Sequence, residues 1–361
     1  MNDTQPGSAR RLNSSVDNRW KELLGRVHVD HSARRMLLLV IGAFAIFTAL
    51  NPTVFLSAIN LQNIALASPE VGLLALAMML AMLSGGIDLS LVSIANLTAI
   101  TMSTLYTTIA ATDPAQAEAM FPVILAIGLA VGVLGGFVNG ILVAWVGITP
   151  ILATLGTMQI YNGIAVAWTG GKTLYGAPEA LTGIGQSTVG GVPTLFIIFI
   201  VVALAVGLVV SRTPLGLKVT LQGANPSAAR FSGINSTRVL MGTYLLTGLL
   251  GGIAGMLFLG RNPTASADYG ASYVLLVVVI AVLAGTNPNG GYATVFGVVL
   301  ATLTLQIVQS GFTAIRLSAF EYAMAQGLIL VAVMVIDQIS WRRRRPRAKP
   351  AAASPSVATG A

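Results

Sequence analysis

Residues 68–111 read SPEVGLLALAMMLAMLSGGIDLSLVSIANLTAITMSTLYTTIAA. Two apolar runs, each near the length that crosses a bilayer, are parted by Ser84-Gly85-Gly86-Ile87-Asp88-Leu89-Ser90. A spanning helix takes about 20 mostly apolar residues. The paired glycines break a helix or turn the chain between two spans. Working outward, apolar runs recur at about 36–53, 68–84, 88–111, 121–146, 150–169, 194–211, 239–260, 272–285, 292–312 and 321–339. The expected fold is all-α, a polytopic transmembrane helical bundle of about ten spans. The eighth run is short and Val54 to Ala67 is a candidate to dip into the membrane, so nine or eleven spans also fit.

Composition points the same way. Of 361 residues, 55% are hydrophobic and 9% are charged, against about 25% charged in an ordinary soluble domain. So few charges do not cover a soluble surface of this size. The 39 glycines suit membrane helices, where glycine is more frequent than in soluble ones. The absence of cysteine excludes disulfides, Cys-ligated zinc, iron–sulfur clusters and thiol nucleophiles. The two histidines, His28 and His31, lie in the polar N-terminal stretch, which excludes His-based acid–base chemistry and zinc hydrolysis within the spans. A net charge of +8 would suggest nucleic acid in a soluble protein. Here the basic residues sit in the tails and one loop, so the bilayer is the expected partner, not nucleic acid.

Charge also orients the chain. Residues 1–35 are polar and basic, longer and more charged than a signal-peptide n-region, and are expected as a cytoplasmic tail. Residues 36–341 form the expected transmembrane domain, and 342–361 a basic, disordered C-terminal tail. Seventeen of the 20 Lys/Arg fall in the two tails and in the loop 212–238; Lys172, Arg261 and Arg316 fall on the other side. The positive-inside rule therefore puts both tails and that loop in the cytoplasm.

Within that loop, Gly223-Ala224-Asn225-Pro226-Ser227-Ala228-Ala229-Arg230-Phe231-Ser232-Gly233 specifies a short helix with marked ends. Asn225 suits the N-cap, Pro226 the first helical position and Gly233 the left-handed stop. About seven residues make a rod too short to stand alone. It packs either on its own membrane domain or against a cytoplasmic partner. Asp88 is either the N-cap of the third span or an acid facing a wet cavity, since a carboxylate at the bilayer centre costs about 2.5–3.5 kcal/mol. Gly128, Gly132, Gly136 and Gly140 share one face of the fourth span, and Gly248 and Gly252, with Gly251 and Gly255, repeat the pattern in the seventh. Close helix packing is their expected use. Asn96, Asn139, Gln159, Tyr161, Asn162 and Gln306 can bond either a hydroxylated solute or neighbouring helices. Gly171-Lys172-Thr173 imitates the end of a phosphate-binding loop, but Val166 stands where that motif needs glycine, and no ATPase is encoded.

From about residue 65 to 338 the chain resembles the permease subunits of bacterial ABC importers for monosaccharides, of the ribose/xylose/rhamnose type. Four stretches carry the resemblance in order: Ser84 to Ser93; Asn139-Gly140 followed by Thr149 to Met158; Thr213-Pro214-Leu215-Gly216 through Gly233-Ile234-Asn235; and Ala284-Gly285, Gly290-Gly291 and Val295-Phe296-Gly297. Three departures stand out. Val92 replaces a usual glycine, Asn162 stands where an arginine is common, and Thr286-Asn287-Pro288-Asn289 looks more like a rhamnose- or sugar-alcohol-related branch.

The resemblance implies an inner-membrane subunit that is not itself an enzyme and holds no cofactor. It implies pairing with a second permease chain, the same or related. It also implies two cytoplasmic ATPase domains that consume ATP and an extracytoplasmic sugar-binding protein. Gly223, Asn225, Ala228, Ala229, Arg230 and Gly233 are its ATPase-coupling candidates. Asp88, Ser90, Asn96, Asn139, Gln159 and Asn162 are candidates for the solute path. The alternative is a stand-alone ion- or proton-coupled secondary transporter, which rests on Asp88 as the coupling acid.

Overall fold

A computed structural model describes residues 31–318, 320–328, 331 and 335. The helices in chain order are α1 His31–Leu50, α2 Pro52–Phe55, α3 Ala58–Leu83, α4 Leu91–Ala110, α5 Pro114–Ala119, α6 Phe121–Gly140, α7 Pro150–Thr169, α8 Glu179–Gln186, α9 Thr194–Arg212, α10 Pro214–Ala224, α11 Pro226–Phe231, α12 Ser236–Arg261, α13 Tyr273–Leu283 and α14 Val295–Ala314. One π-helical turn, Ile141–Trp145, extends α6. Residues 320–328 are helical as well. Nine of the ten apolar runs thus coincide with helices. The tenth lies partly outside the described residues, as do the tail 342–361 and residues 1–30. Helix α1 begins inside the stretch expected as N-terminal tail.

Among the described residues, five helices are long and apolar enough to cross a membrane: Ala58–Leu83, Phe121–Trp145, Thr194–Arg212, Ser236–Arg261 and Val295–Ala314. The 11 residues of α13 extend roughly 16 Å, about half the hydrocarbon thickness. The eighth run therefore stops partway.

The break between α3 and α4 has a defined geometry. Gly85 takes φ +89°, its N–H donates to the Met82 carbonyl (2.8 Å), and the Gly86 N–H donates to Ala81 (3.0 Å). This is the left-handed glycine stop that satisfies the last carbonyls of a helix. The same device ends α13: Gly285 takes φ +87°, with Gly285 N–H to Val282 at 2.9 Å and Thr286 N–H to Ala281 at 3.0 Å.

Helix α3 starts ten residues before its apolar run, capped by the Ser57 hydroxyl, which accepts from the Asn60 N–H. Asn60, Gln62 and Asn63 hide that start from a hydropathy reading, and the segment expected to dip into the membrane is α2 with the first turns of α3. From Ser68 to Leu83 every residue of α3 is buried. Such an all-round apolar helix belongs at the centre of a bundle. Around it, α1, α7 and α9 expose large apolar side chains such as Leu38, Leu152 and Leu204, as expected where lipid is the solvent.

Helices α6 and α12 meet through their glycines, as the spacing predicts. A Cβ at Gly132 would lie 2.7 Å from the Gly248 carbonyl, and one at Gly248 would lie 2.6 Å from the Gly136 Cα. The two backbones touch without intervening side chains, the close approach that small residues allow in lipid. Gly255, two turns beyond Gly248 on α12, presses on the Ala95 backbone of α4.

At the end away from loop 212–238, strand Leu174–Tyr175 pairs antiparallel with Thr264–Ala265. A hairpin pairs Thr188–Val189 with Val192–Pro193. Its turn, Gly190-Gly191, has both φ positive, which a two-residue hairpin of this hand requires.

Candidate functional site

The segment expected to couple is a helix pair rather than a loop with one helix. Thr213 caps α10, its hydroxyl accepting from the Gly216 N–H at 3.3 Å, and Pro214 opens it. The sequence reading did not foresee α10. Asn225 then ends α10 and caps α11, its Oδ1 accepting from the Ala228 N–H at 3.0 Å, with Pro226 at the first helical position. Gly233 takes φ +79°. Gly233 N–H donates to Arg230 (3.1 Å) and Ile234 N–H to Ala229 (3.0 Å). These bonds complete the left-handed stop. The six residues of α11 make a rod of roughly 9 Å.

The six coupling candidates divide by direction. Gly223 and Ala229 are buried, Asn225 spends its side chain on the cap, and Ala228, Arg230 and Gly233 are exposed. The most exposed large apolar residue here, Phe231 at 93%, was passed over. Its signal was an aromatic in a helix too short to hide it.

Gly223 is packed tightest. A Cβ there would lie 2.7 Å from the Gly291 nitrogen and would collide with the Leu83 carbonyl. Gly291 N–H itself donates to the Leu83 carbonyl at 3.0 Å. Three backbones meet here: the end of α3, the end of α10 and the loop after α13. Both glycine-stopped helices therefore abut the segment that carries α11.

The path candidates fall in three places. Asp88, Ser90 and Asn139 form one enclosed knot, each with 0% exposure. Asp88 Oδ1 accepts from the Ser90 N–H (3.1 Å), the Ser90 hydroxyl (2.7 Å) and Asn139 Nδ2 (3.5 Å); its Oδ2 accepts from the Thr247 hydroxyl (3.1 Å). Asn139 Nδ2 also donates to Ser90 Oγ at 2.7 Å, and its Oδ1 accepts from the Thr157 hydroxyl at 2.6 Å. Thr154 Oγ1 accepts from the Leu89 N–H at 3.1 Å. The knot fastens the break to α6, α7 and α12. Asp88 is thus neither the N-cap of α4, a position held by Ser90, nor an acid facing a cavity. Asn96 stands apart, its Nδ2 donating to the Ala267 and Tyr269 carbonyls at 2.8 Å each. Gln159 and Asn162 lie on the outward side of α7, where they line a shallow groove with Gly163, Val166 and Ala167.

A second buried carboxylate escaped the sequence reading. Glu70 on α3 is fully buried. Arg261 Nη1 at the end of α12 donates to its Oε1 at 3.3 Å, and the Tyr269 hydroxyl donates to its Oε2 at 3.1 Å. The available signal was an acid inside one apolar run and a lone base at the end of another.

Comparison with known proteins gives a consistent picture. The family "Branched-chain amino acid transport system / permease component" matches residues 60–336. The autoinducer 2 import system permease protein LsrD of Yersinia enterocolitica is 32% identical over 279 residues, 76% of this chain and 82% of the relative. LsrD of Klebsiella pneumoniae is 29% identical over 324 residues, 87% of this chain and 93% of the relative. The galactose/methyl galactoside import permease protein MglC of Haemophilus influenzae is 29% identical over 320 residues, 86% of this chain and 94% of the relative. No solved structure matches.

Proposed function

The chain belongs to the branched-chain amino acid transport system / permease component family, and from that premise we propose how it carries its solute. It is a multi-pass permease component of a bacterial ATP-binding-cassette importer and is not an enzyme. We assign it a sugar or sugar-like cargo. MglC, by its name, imports galactose or methyl galactoside, and LsrD autoinducer 2. The Thr286–Asn289 variant favours a rhamnose- or sugar-alcohol-related solute within that class.

In this reading the chain crosses the inner membrane about ten times with both ends in the cytoplasm. It pairs with a second permease, the same or related, and the outward side of α7 with Gln159 and Asn162 lines the path between them. A sugar-binding protein delivers solute from outside. Two ATPase domains, which alone consume ATP, dock on the rods presented by the two chains. Ala228, Arg230 and Phe231 make the contact, and Asn225 and Gly233 fix the shape of α11.

Closure of the ATPases displaces α11. Because Gly223, in the last turn of α10, lies against both the α3 terminus and the loop after α13, that displacement bears on both helix breaks. A ligand or partner shifts a two-state equilibrium only through differential contacts with the two states, and this backbone junction supplies them. The Asp88 knot moves as one piece with α6, α7 and α12.

The observation that carries the proposal is the capped six-residue helix with Phe231 at 93% exposure beside a glycine junction that admits no Cβ. Reconstitution with the cognate ATPase and binding protein tests it. Phe231→Asp and Arg230→Glu are expected to abolish ATP-driven uptake while the protein inserts and melts normally. Full uptake in both, or protonophore-sensitive uptake by the chain alone, would overturn it.

A further inference from the structure

The end of the bundle opposite loop 212–238 holds a polar cleft distinct from the coupling segment and from the groove on α7. On α3, Asn60, Asn63, Ala67 and Glu70 follow a three-, four-, three-residue spacing and share one face. On α14, Gln306, Gln309, Ser310 and Thr313, spaced three, one and three residues apart, also share one face. The two stripes, short of Glu70, border a cleft of about 190 Å³ with Arg261 at its edge. Neither stripe would be left against hydrocarbon.

Some of these groups are structural. Asn60 Oδ1 accepts from the Ser310 hydroxyl at 2.6 Å and its Nδ2 donates to the Phe55 carbonyl at 2.9 Å, which fixes the gap between α3 and α14. Others are free. The carboxamides of Asn63, Gln306 and Gln309 make no hydrogen bond among the described residues. Asn63 and Gln309 are exposed at the rim, but Gln306 is only 5% exposed and lines the floor. Its carboxamide opens onto the cleft, so its donor and acceptor are available to whatever occupies that space.

We infer that this cleft is a binding site, within a single chain, for a small neutral polyhydroxylated solute. The charge argues for neutrality, because the guanidinium of Arg261 is already balanced by Glu70 and the other polar lining groups are amides and hydroxyls, beside the apolar Ile64 and Ala67. The size argues for a small solute, since the cleft lies below the roughly 300–1,000 Å³ of drug-sized pockets. The functional groups argue for hydroxyls, which both donate and accept and so match carboxamides that do the same. The ligand class rests on the sugar-permease reading, to which the cleft adds a station that does not depend on the second permease.

The test uses the full-length chain alone in phosphatidylcholine nanodiscs, with radiolabelled D-galactose, D-ribose and glycerol as probes and inorganic phosphate as the charged control. Saturable binding of at least one polyol is expected. It should weaken about tenfold in Gln306→Leu, as for the loss of one or two hydrogen bonds, and less in Gln309→Leu at the rim. Should Gln306→Leu not fold, Gln309→Leu carries the test. No saturable polyol binding, binding indifferent to the glutamine variants, or a preference for phosphate would overturn the inference. So would loss of sugar binding on adding phosphatidylglycerol, which would identify a lipid headgroup as the occupant. Absence of binding with intact ATP-driven uptake would sink this site alone. Binding with uptake that needs no ATPase would sink the permease reading alone.

Discussion

Asp88 and Glu70 are both carboxylates with no exposed surface, one within a helix break and one before it, yet they are held in opposite ways. Asp88 is surrounded by neutral donors from Ser90, Asn139 and Thr247, which belong to the break, α6 and α12. Glu70 is held by one cation, Arg261, whose side chain is 27% exposed, and by one phenol. The first arrangement closes on itself and fastens helices together. The second stands beside an open cleft. A buried acid in a membrane domain therefore does not by itself mark a solute path or a coupling site; the direction of its partners decides.

The largest effect should come from Arg261→Ala. It leaves Glu70 fully buried with Tyr269 alone, and breaking such a pair from the cation side costs about 3–5 kcal/mol. Thermal unfolding in detergent should show it, and adding Glu70→Gln should recover most of the loss. Asp88→Ala comes next, at about 3 kcal/mol, because it strands several buried donors at about 1–3 kcal/mol each with partial repair. Glu70→Gln should cost only about 1 kcal/mol, since Arg261 reaches water and surface charges are worth little. Equal costs for Arg261→Ala and Glu70→Gln would erase the asymmetry on which the contrast rests. Phe231→Asp should change stability by less than about 0.5 kcal/mol, because its side chain is 93% exposed among the described residues. Its effect should fall on transport instead.

Local features were legible in the sequence. The Asn225-Pro226 start and Gly233 stop of α11 follow from backbone chemistry that needs no tertiary information. The glycine stripes of α6 and α12 pack as their spacing requires. What failed to show is what depends on distant partners or on amphipathic surfaces. The Glu70–Arg261 pair spans 191 residues, and no local pattern links its members. Helix α10 and the first turns of α3 carry polar faces, so a search for apolar runs missed them. The six path candidates share a chemistry but not a location: Asn139 turns inward to Asp88, Asn96 holds the segment after α12, and Gln159 faces outward. Residue type gave what each side chain can bond, while helix rotation set what it meets.

The central claim is that α11 is a handle on the cytoplasmic face for ATPases this chain does not contain. The chain has no cysteine, so Phe231→Cys introduces a single thiol reporter. Treated with a membrane-impermeant maleimide, that thiol should react in inside-out vesicles, stay unreacted in intact cells, and lose its reactivity when the cognate ATPase is bound. Labelling from outside intact cells, or undiminished labelling in the presence of bound ATPase, would contradict the account.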